Sequence, residues 1–198
     1  MKNFFVYVLD TVLPPHEDVL TVREILKPLT AHPRELTINN LRVAILLSYK
    51  DALAGACIRA VKYHHHAKAT SLLSQVVKDY FETLPSDVII IPIPLSPNRL
   101  RQRGHNQVVS VLKAAGIPYL EGALTRIDRN SQTSFTRADR FKNVAGAMSI
   151  TANAVQRIEG KNVLIIDEVV TTGATLADAG RAIAIARPAS VQYVALAH

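Results

Sequence analysis

The chain has 198 residues, of which 48% are hydrophobic and 20% are charged, and its formal net charge is +7. These values exclude an intrinsically disordered chain, and the length suits one α/β domain with an appended segment rather than two full domains. The single cysteine, Cys57, excludes an intrachain disulfide and is interpreted as a packing residue, because it lies in an apolar helical stretch.

Residues 1–45 open with an apolar run and continue into a predicted helix. The run is ended by Asp10 after six apolar residues, which is too short for the apolar part of a signal peptide or for a membrane span. We therefore predict no membrane span and a cytoplasmic location. A helix is expected near residues 17–29, where prolines end it.

The next segments alternate between helical and strand patterns. Residues 50–62 and 67–84 have the apolar periodicity of helices. Residues 88–93 form a continuous apolar strand that contains Pro92, and because proline donates no ladder hydrogen bond, this strand must stop pairing there or lie at a sheet edge. A helix through about Ala115 and short strands near 119–124 and 147–150 are expected to follow.

Three consecutive histidines follow the first of these helices. His64, His65 and His66 suggest a metal site, but consecutive helical residues point about 100° apart and their rings cannot converge. We interpret them as a solvated helix end.

Most of the positive charge lies in residues 96–150. This segment has nine Lys and Arg residues against three acids, a net charge of +6. Such a segment faces an anionic partner, and a nucleic acid or a small polyphosphate would both satisfy it. Three aromatic residues among the charges, and no helix-turn-helix, zinc or RNP pattern, weaken the nucleic-acid alternative.

Residues 162–175 give the strongest functional signal. The apolar run Val163–Ile166 is typical of a strand buried on both faces in a parallel sheet, and Asp167 and Glu168 follow it. A loop of small and hydroxyl residues then precedes a helical pattern. Backbone N–H groups of such a loop, at the positive end of a helix dipole, bind phosphate, whereas carboxylates accept hydrogen bonds from ribose hydroxyls. The segment therefore suits a ribose 5-phosphate.

A last strand at Val191–Ala197 completes a set of strands separated by helices. This alternation predicts an α/β protein with a parallel, doubly wound sheet. The sequence has no Gly-x-Gly-x-x-Gly pattern, which disfavours a dinucleotide site.

Residues 162–175 resemble the phosphoribosyl-pyrophosphate signature of type I phosphoribosyltransferases, with a hydrophobic strand, two acids, two hydrophobic residues and Thr-Thr-Gly-x-Thr. Further residues, from about Leu47 to the end, resemble ComF-type (GntX-type) phosphoribosyltransferase-like proteins in the same order. They are Tyr49, Val61-Lys62-Tyr63, Ile91-Pro92-Ile93-Pro94-Leu95, Arg99, Arg103-Gly104-His105-Asn106-Gln107, and the series Arg126, Gln132, Arg137, Arg140, Asn143 and Gly146.

Three departures from this pattern stand out. Many relatives begin with a four-cysteine zinc ribbon, which a chain with one cysteine cannot build. Glu168 stands where the second acid is most often Asp, and His105 stands where an aromatic residue is common. The resemblance implies a type I phosphoribosyltransferase-like domain at residues 46–198, with flanking helices, and a small N-terminal extension at 1–45 in place of the zinc ribbon.

The resemblance also implies roles for particular residues. Asp167 and Glu168, the expected catalytic residues, would hold the ribose hydroxyls. The 5-phosphate would be wrapped by Val170, Thr171, Thr172, Gly173, Ala174 and Thr175. Pyrophosphate would be received by the turn from Ser96 to Arg99, with Lys62, Arg99 and Arg103 as partners, because guanidinium groups suit phosphate oxygens. Two alternatives stay open: Lys62 as a solvated helix end, and Arg137 and Arg140 as a mobile cover or a basic surface.

The expected function is transfer of the phosphoribosyl group from 5-phosphoribosyl pyrophosphate to an acceptor that the sequence does not identify. Mg²⁺ (magnesium) is the expected cofactor, bound mainly through the diphosphate, and no protein metal ligand is predicted. One alternative is a non-catalytic sensor of phosphoribosyl pyrophosphate or a nucleotide. Another is a ComF-like competence protein acting in DNA uptake, with single-stranded DNA or the competence machinery as partner. A homodimer is left open.

Overall fold

The computed structural model describes residues 15–128 and 146–198. Within these ranges the elements are α1 (Glu17–Glu24), β1 (Arg34–Ile38), β2 (Leu41–Leu47), α2 (Ala52–His64), α3 (Ala67–Phe81), β3 (Ile89–Pro92), α4 (Pro97–Arg103), α5 (Gln107–Ala115), β4 (Leu124–Arg126), β5 (Met148–Ile150), α6 (Ala152–Ile158), β6 (Asn162–Val169), α7 (Ala174–Ala184) and β7 (Ser190–Ala197). None of the described helices is long and apolar enough to cross a membrane.

The main sheet has five strands in the order β1-β2-β7-β6-β3. The four strands β2, β7, β6 and β3 pair in parallel, and β1 pairs antiparallel with β2. The expected doubly wound parallel sheet is therefore present, with one antiparallel strand added at an edge.

Alternate residues of β6 pack on opposite faces of this sheet. Leu164 and Ile166 belong to a core with α2, α3 and α5. Val163 and Ile165 belong to a second core with α6 and α7. Each of these four side chains is fully buried, which stabilises the fold by about 1.5–3 kcal/mol per side chain. Burial on both faces explains why the run has no polar alternation.

The strand β3 lies at an edge of the sheet, as its proline predicts. It pairs with β6 only, from Ile89 opposite Val163 to Pro92 opposite Ile166. The ladder ends where the Ile93 N–H donates to the Ile166 carbonyl at 2.9 Å. Beyond that point β6 continues, because it still pairs with β7 as far as Val169. The carboxyl end of β6, which holds the two acids, therefore extends past the end of its ladder with β3.

The sequence did not predict the hairpin formed by β1 and β2. Its two strands are joined by Asn39 and Asn40, whose φ angles of 52° and 61° suit a tight two-residue turn. The strand β1 is mostly exposed and has little apolar alternation, so its pattern gives a weak signal. The predicted boundary between residues 45 and 46 falls inside β2, which pairs with β7. Residues 34–45 therefore belong to the same sheet as the rest.

The strands expected near 119–124 and 147–150 do not join the main sheet. The expected strand at 119–124 begins instead at Leu124, and β4 pairs antiparallel with β5 in a separate two-stranded sheet. The helix expected near 17–29 ends at Glu24. The sequence also predicted a turn at Ser96–Arg99, where the structure has the start of the short helix α4.

Candidate functional site

The loop between β6 and α7 presents free backbone donors. The Val170 N–H donates to the Ala197 carbonyl at 3.1 Å, and the Ala174 N–H donates weakly to Thr172 Oγ1 at 3.4 Å. Within the described part of the chain, the N–H groups of Thr171, Thr172 and Gly173 have no bonded acceptor. They lie at the start of α7, where the helix dipole favours an anion. This arrangement is chemically suited to a phosphate.

Gly173 is required here for two reasons. Its φ of 71° lies in the left-handed region that favours glycine. A Cβ at this position would lie 3.1 Å from Ile38 Cγ2 and 3.2 Å from the Ile38 carbonyl oxygen. The β1–β2 hairpin therefore supports the loop directly, a contact for which the sequence gave no signal.

The remaining loop side chains differ in exposure. Val170, Gly173 and Ala174 are buried, Thr172 and Thr175 are half-buried, and Thr171 is exposed. The threonine side chains are thus available at the rim of the loop, whereas Val170 packs in the core that contains α7.

The two acids occupy opposite faces of β6, since they follow one another on a strand. On one face, the Asp167 carboxylate accepts the Glu168 N–H at 2.8 Å. Burial raises the pKa of Asp167 above its ordinary value, and this effect exceeds the opposing effects of the Glu168 N–H, Arg126 and Arg99. Both acids lie on β6 beyond the end of its ladder with β3.

Glu168 faces two cations on the other side of the strand. Its Oε2 lies 3.8 Å from Lys62 Nζ on α2 and 3.7 Å from Arg103 Nη1 on α4. Its Oε1 is buried and has no hydrogen-bond partner among residues 15–128 and 146–198. Burial raises the pKa of Glu168, and the two cations oppose that rise without cancelling it. Ionised Glu168 is therefore held at a cost in free energy, with one oxygen lacking a donor.

Arg126 is a site residue to which the sequence gave no specific role. It lies on β4, and burial lowers the pKa of its guanidinium, as does the neighbouring charge of Arg99. The carboxylates of Asp167, Asp178 and Asp128 oppose that effect. Arg126 therefore belongs to the same charge cluster as Asp167, and its position on a polar stretch with weak periodicity hid this role.

The first turn of α4 carries the residues that were predicted to receive pyrophosphate. Ser96 is the buried N-cap of this helix, Pro97 occupies its first turn, and the Asn98 N–H donates to the Asp128 carboxylate at 2.9 Å. The Asn98 N–H thus already has a carboxylate as its acceptor. Arg99 acts electrostatically on both acids.

His105 has a packing role that the sequence left open. Its ring lies 3.9 Å, centre to centre, from that of His65, and its Nδ1 is 3.0 Å from the Arg103 carbonyl oxygen. The Arg103 side chain itself donates to Gln107 Oε1 at 3.2 Å. The two histidine rings join the end of α2 to the end of α4, which are the elements that bring Lys62 and Arg103 to Glu168.

Asp178 fixes the chain where it returns after residue 145. Its buried carboxylate accepts the backbone N–H groups of Gly146, Ala147 and Met148 at 2.6, 2.9 and 3.0 Å, and Arg181 donates to it at 2.9 Å. The available sequence signal was that Asp178 is the one acid in the small-residue helix α7. Arg137 and Arg140, predicted as a cover or a basic surface, lie outside the described residues, as does Asn143.

Two other features lie outside this cluster. A cavity of about 450 Å³ lies beside β3, and its lining includes Pro92, Leu100 and His105. Neither the two acids nor the loop between β6 and α7 lines it. Cys57 is buried, and burial raises its pKa to about 11. Its thiol stays neutral, in agreement with the predicted packing role.

Comparison with known proteins agrees with this geometry. Residues 94–198 match the model of the phosphoribosyl transferase domain. The chain is 33% identical over 106 residues to competence protein ComFC of Streptococcus pneumoniae, which covers 54% of this chain and 44% of the relative. It is 32% identical over 93 residues to competence protein ComFC of Bacillus subtilis, which covers 47% and 37%. These matches span less than half the length of either relative, and they confirm the resemblance to ComF-type proteins.

Solved structures show a weaker similarity. One is described as the allosteric regulatory enzyme of purine biosynthesis, with 19% identity, a TM-score of 0.43, and coverage of 70% of this chain and 30% of that one. Another is hypoxanthine phosphoribosyltransferase from Trypanosoma cruzi, with 17% identity, a TM-score of 0.38, and coverage of 64% of both chains. With TM-scores below 0.5, these two similarities support no conclusion about function. The domain match spans more than half of the chain and includes β6, α7 and the loop between them. It shows that the chain belongs to the phosphoribosyl transferase domain family.

Proposed function

We propose that the protein binds 5-phosphoribosyl pyrophosphate and transfers its phosphoribosyl group to an acceptor. The proposal is carried by two observations on the described residues: three consecutive loop N–H groups lack an acceptor, and the buried Glu168 Oε1 lacks a donor. The N–H groups of residues 171–173 suit the 5-phosphate, and Glu168 Oε1 suits a ribose hydroxyl, which would donate to it. Leaving a buried acceptor unpaired costs about 1–3 kcal/mol, so a ligand that supplies the donor recovers this free energy on binding.

The cations around Glu168 support the placement of the diphosphate. Lys62 and Arg103 lie beyond hydrogen-bond distance from Glu168 Oε2, and their side chains are 22% and 17% exposed. Their pairing with Glu168 is therefore loose, and both side chains can turn toward a ligand of higher negative charge. Arg99 adds a third positive charge near both acids. Arginine suits diphosphate oxygens because its planar donors bind them in pairs.

The charge distribution also suits the transfer step. As the bond from the sugar to the diphosphate breaks, positive charge grows on the sugar and negative charge grows on the leaving group. In this proposal Asp167 and Glu168 lie beside the sugar, and Lys62, Arg99 and Arg103 lie beside the leaving group. Ligand cations and hydroxyl donors would favour the ionised acids, whose pKa values burial raises.

Mg²⁺ is part of this proposal. It prefers oxygen ligands, which the diphosphate supplies, with Asp167 and Glu168 as the neighbouring carboxylates, and when bound it would neutralise the leaving diphosphate. The cytoplasmic location predicted from the sequence belongs to the same proposal.

A competence-related role is a second candidate. The two curated relatives are both named competence protein ComFC, and the net charge of +6 in the sequence of residues 96–150 suits a nucleic acid. The two candidates differ in how they use the arginines of α4. A diphosphate pocket needs Arg103, which contacts Glu168, whereas a DNA surface would use exposed arginines such as Arg101 equally.

The test measures pyrophosphate release and ligand binding in the same preparations. The full chain is mixed with phosphoribosyl pyrophosphate, Mg²⁺ and a panel of nitrogenous bases, and binding of the sugar and of a short DNA is titrated at two salt concentrations. Arg103→Ala should weaken binding of the activated sugar at least tenfold, and Arg101→Ala on the same helix should leave it unchanged.

Each candidate predicts a different result. Turnover with any acceptor supports the transferase, whereas saturable binding without turnover supports a sensor. DNA binding that both arginine variants weaken equally, with no binding of the activated sugar, would overturn the proposal in favour of a competence-related nucleic-acid role. For a DNA surface, log affinity should fall linearly with log salt, by about 0.9 per phosphate contacted.

A further inference from the structure

Three potential metal ligands meet where α1 begins and α2 ends, and none of them is a residue of the candidate site described above. His16 is the N-cap of α1, Asp18 lies in its first turn, and His64 is the last residue of α2. One ligand atom from each residue lies within 4.8 Å of the others. The other two consecutive histidines lie elsewhere, since His65 packs on His105 and His66 caps α3.

His16 and Asp18 already have the spacing of two ligands on one ion. His16 Nδ1 lies 3.2 Å from Asp18 Oδ2. Two ligands about 2.0–2.1 Å from a tetrahedral Zn²⁺ are about 3.3 Å apart. The ring of His64 lies 4.9 Å, centre to centre, from that of His16. Both histidines are exposed, so small side-chain rotations can bring the third ligand in.

His16 Nδ1 is held beside Asp18 by the backbone as well. It accepts the Asp18 N–H at 3.2 Å and lies 3.2 Å from Asp18 Oδ2. The N-cap contact therefore holds the imidazole next to the carboxylate, where one ion can reach both.

Arg59 orients the carboxylate in the manner of an outer-shell partner. Its Nε and Nη2 both donate to Asp18 Oδ1, at 2.9 and 2.7 Å, and the Asp18 side chain is only 7% exposed. The other oxygen, Oδ2, is left facing His16. Partners of this kind fix the direction of a metal ligand.

We propose that His16, Asp18 and His64 bind one transition-metal ion of the Zn²⁺ class, with water completing its coordination. Imidazole nitrogens with one carboxylate select such ions over Mg²⁺ and Ca²⁺, which prefer oxygen ligands. The site is separate from the Mg²⁺ expected at the diphosphate. It joins the start of α1 to His64, the last residue of α2. Because Lys62 lies two residues before that end, a bound ion stabilises the helix end that carries Lys62.

The test uses the full chain without a polyhistidine tag. Co²⁺ is titrated while its visible absorption is followed, and Zn²⁺ is then added in competition and measured by calorimetry. His64→Gln removes a ligand at an exposed helix end, and His16→Asn removes another while keeping a residue suited to an N-cap. His32→Gln is the matched control, because His32 is exposed and lies outside the cluster.

The wild type and His32→Gln should bind one Zn²⁺ per chain with the same affinity. His64→Gln and His16→Asn should each weaken it at least tenfold, because changes to outer-shell partners alone cost about 10–100-fold. Zinc should raise the melting temperature of the wild type but not of these two variants. Equal Zn²⁺ affinity in all four proteins, or no stoichiometric binding, would overturn the proposal.

Discussion

Replacing Glu168 with Gln should make the free protein more stable and its ligand binding weaker. Gln keeps the shape of the side chain and imitates the protonated acid. Burial raises the pKa of Glu168 despite Lys62 and Arg103, so the folded state binds a proton at this group more tightly than the unfolded chain does. Stability conferred by this group therefore falls as pH rises above the ordinary pKa of 4.5.

The attraction between Glu168 and its two cations can be estimated from their separations. Each ion pair, at 3.8 and 3.7 Å, contributes at most about 4 kcal/mol at an effective dielectric constant of about 20. Burial and the like charge of Asp167 together raise the pKa of Glu168 despite this attraction. In the complex, the substitution replaces a charge-assisted hydrogen bond of about 1.5–3 kcal/mol with a weaker one. Affinity for phosphoribosyl pyrophosphate should fall about 10-fold or more.

The assay is thermal unfolding from pH 4 to pH 8, with calorimetric titration of the ligand at neutral pH. Glu168→Gln should melt above the wild type at neutral pH, and the difference should shrink toward pH 4, where the wild-type acid is protonated. Glu121→Gln is the control, since Glu121 is exposed in a turn, and it should change neither quantity. A lower melting temperature for Glu168→Gln at neutral pH, or an unchanged ligand affinity, would refute the reasoning.

Other substitutions test separate parts of the site. Gly173→Ala should lower the free energy of unfolding by about 1–2 kcal/mol more than Gly160→Ala in chemical denaturation, because both have a positive φ but only Gly173 has neighbours within 4 Å of an added Cβ; equal losses would contradict the contact with the hairpin. Asp178→Asn should cost at least about 3 kcal/mol, because its amide would face the N–H groups of residues 146–148, and denaturation with an unchanged midpoint would remove this role. Asp167→Asn should weaken phosphoribosyl-pyrophosphate binding about tenfold in calorimetry while the fold survives, and unchanged affinity would take this residue out of the site.

The sequence alone predicted the features that depend on neighbouring residues. The buried strand β6, the two acids and the loop that starts α7 are consecutive in the chain, so their chemistry and spacing are visible in one short segment. A single residue, Pro92, likewise predicted that β3 would stop pairing there or lie at an edge, because proline has no N–H to donate, and β3 does lie at an edge.

The tertiary structure decided which distant groups meet at that segment. The approach of Lys62 and Arg103 to Glu168 depends on how α2 and α4 pack against the sheet. The support of Gly173 by Ile38 depends on a hairpin whose exposed strand β1 has almost no apolar pattern.

The same limit applies to the two acids and to the proposed metal site. Asp167 and Glu168 are adjacent in sequence, yet strand geometry turns them to opposite faces and into different charge environments. His64 was interpreted with its sequence neighbours, but its ring lies near His16 and Asp18, more than 40 positions earlier in the chain. Local sequence determines which groups are available and which backbone they favour, whereas side-chain pairing over long separations is determined by packing of the whole fold.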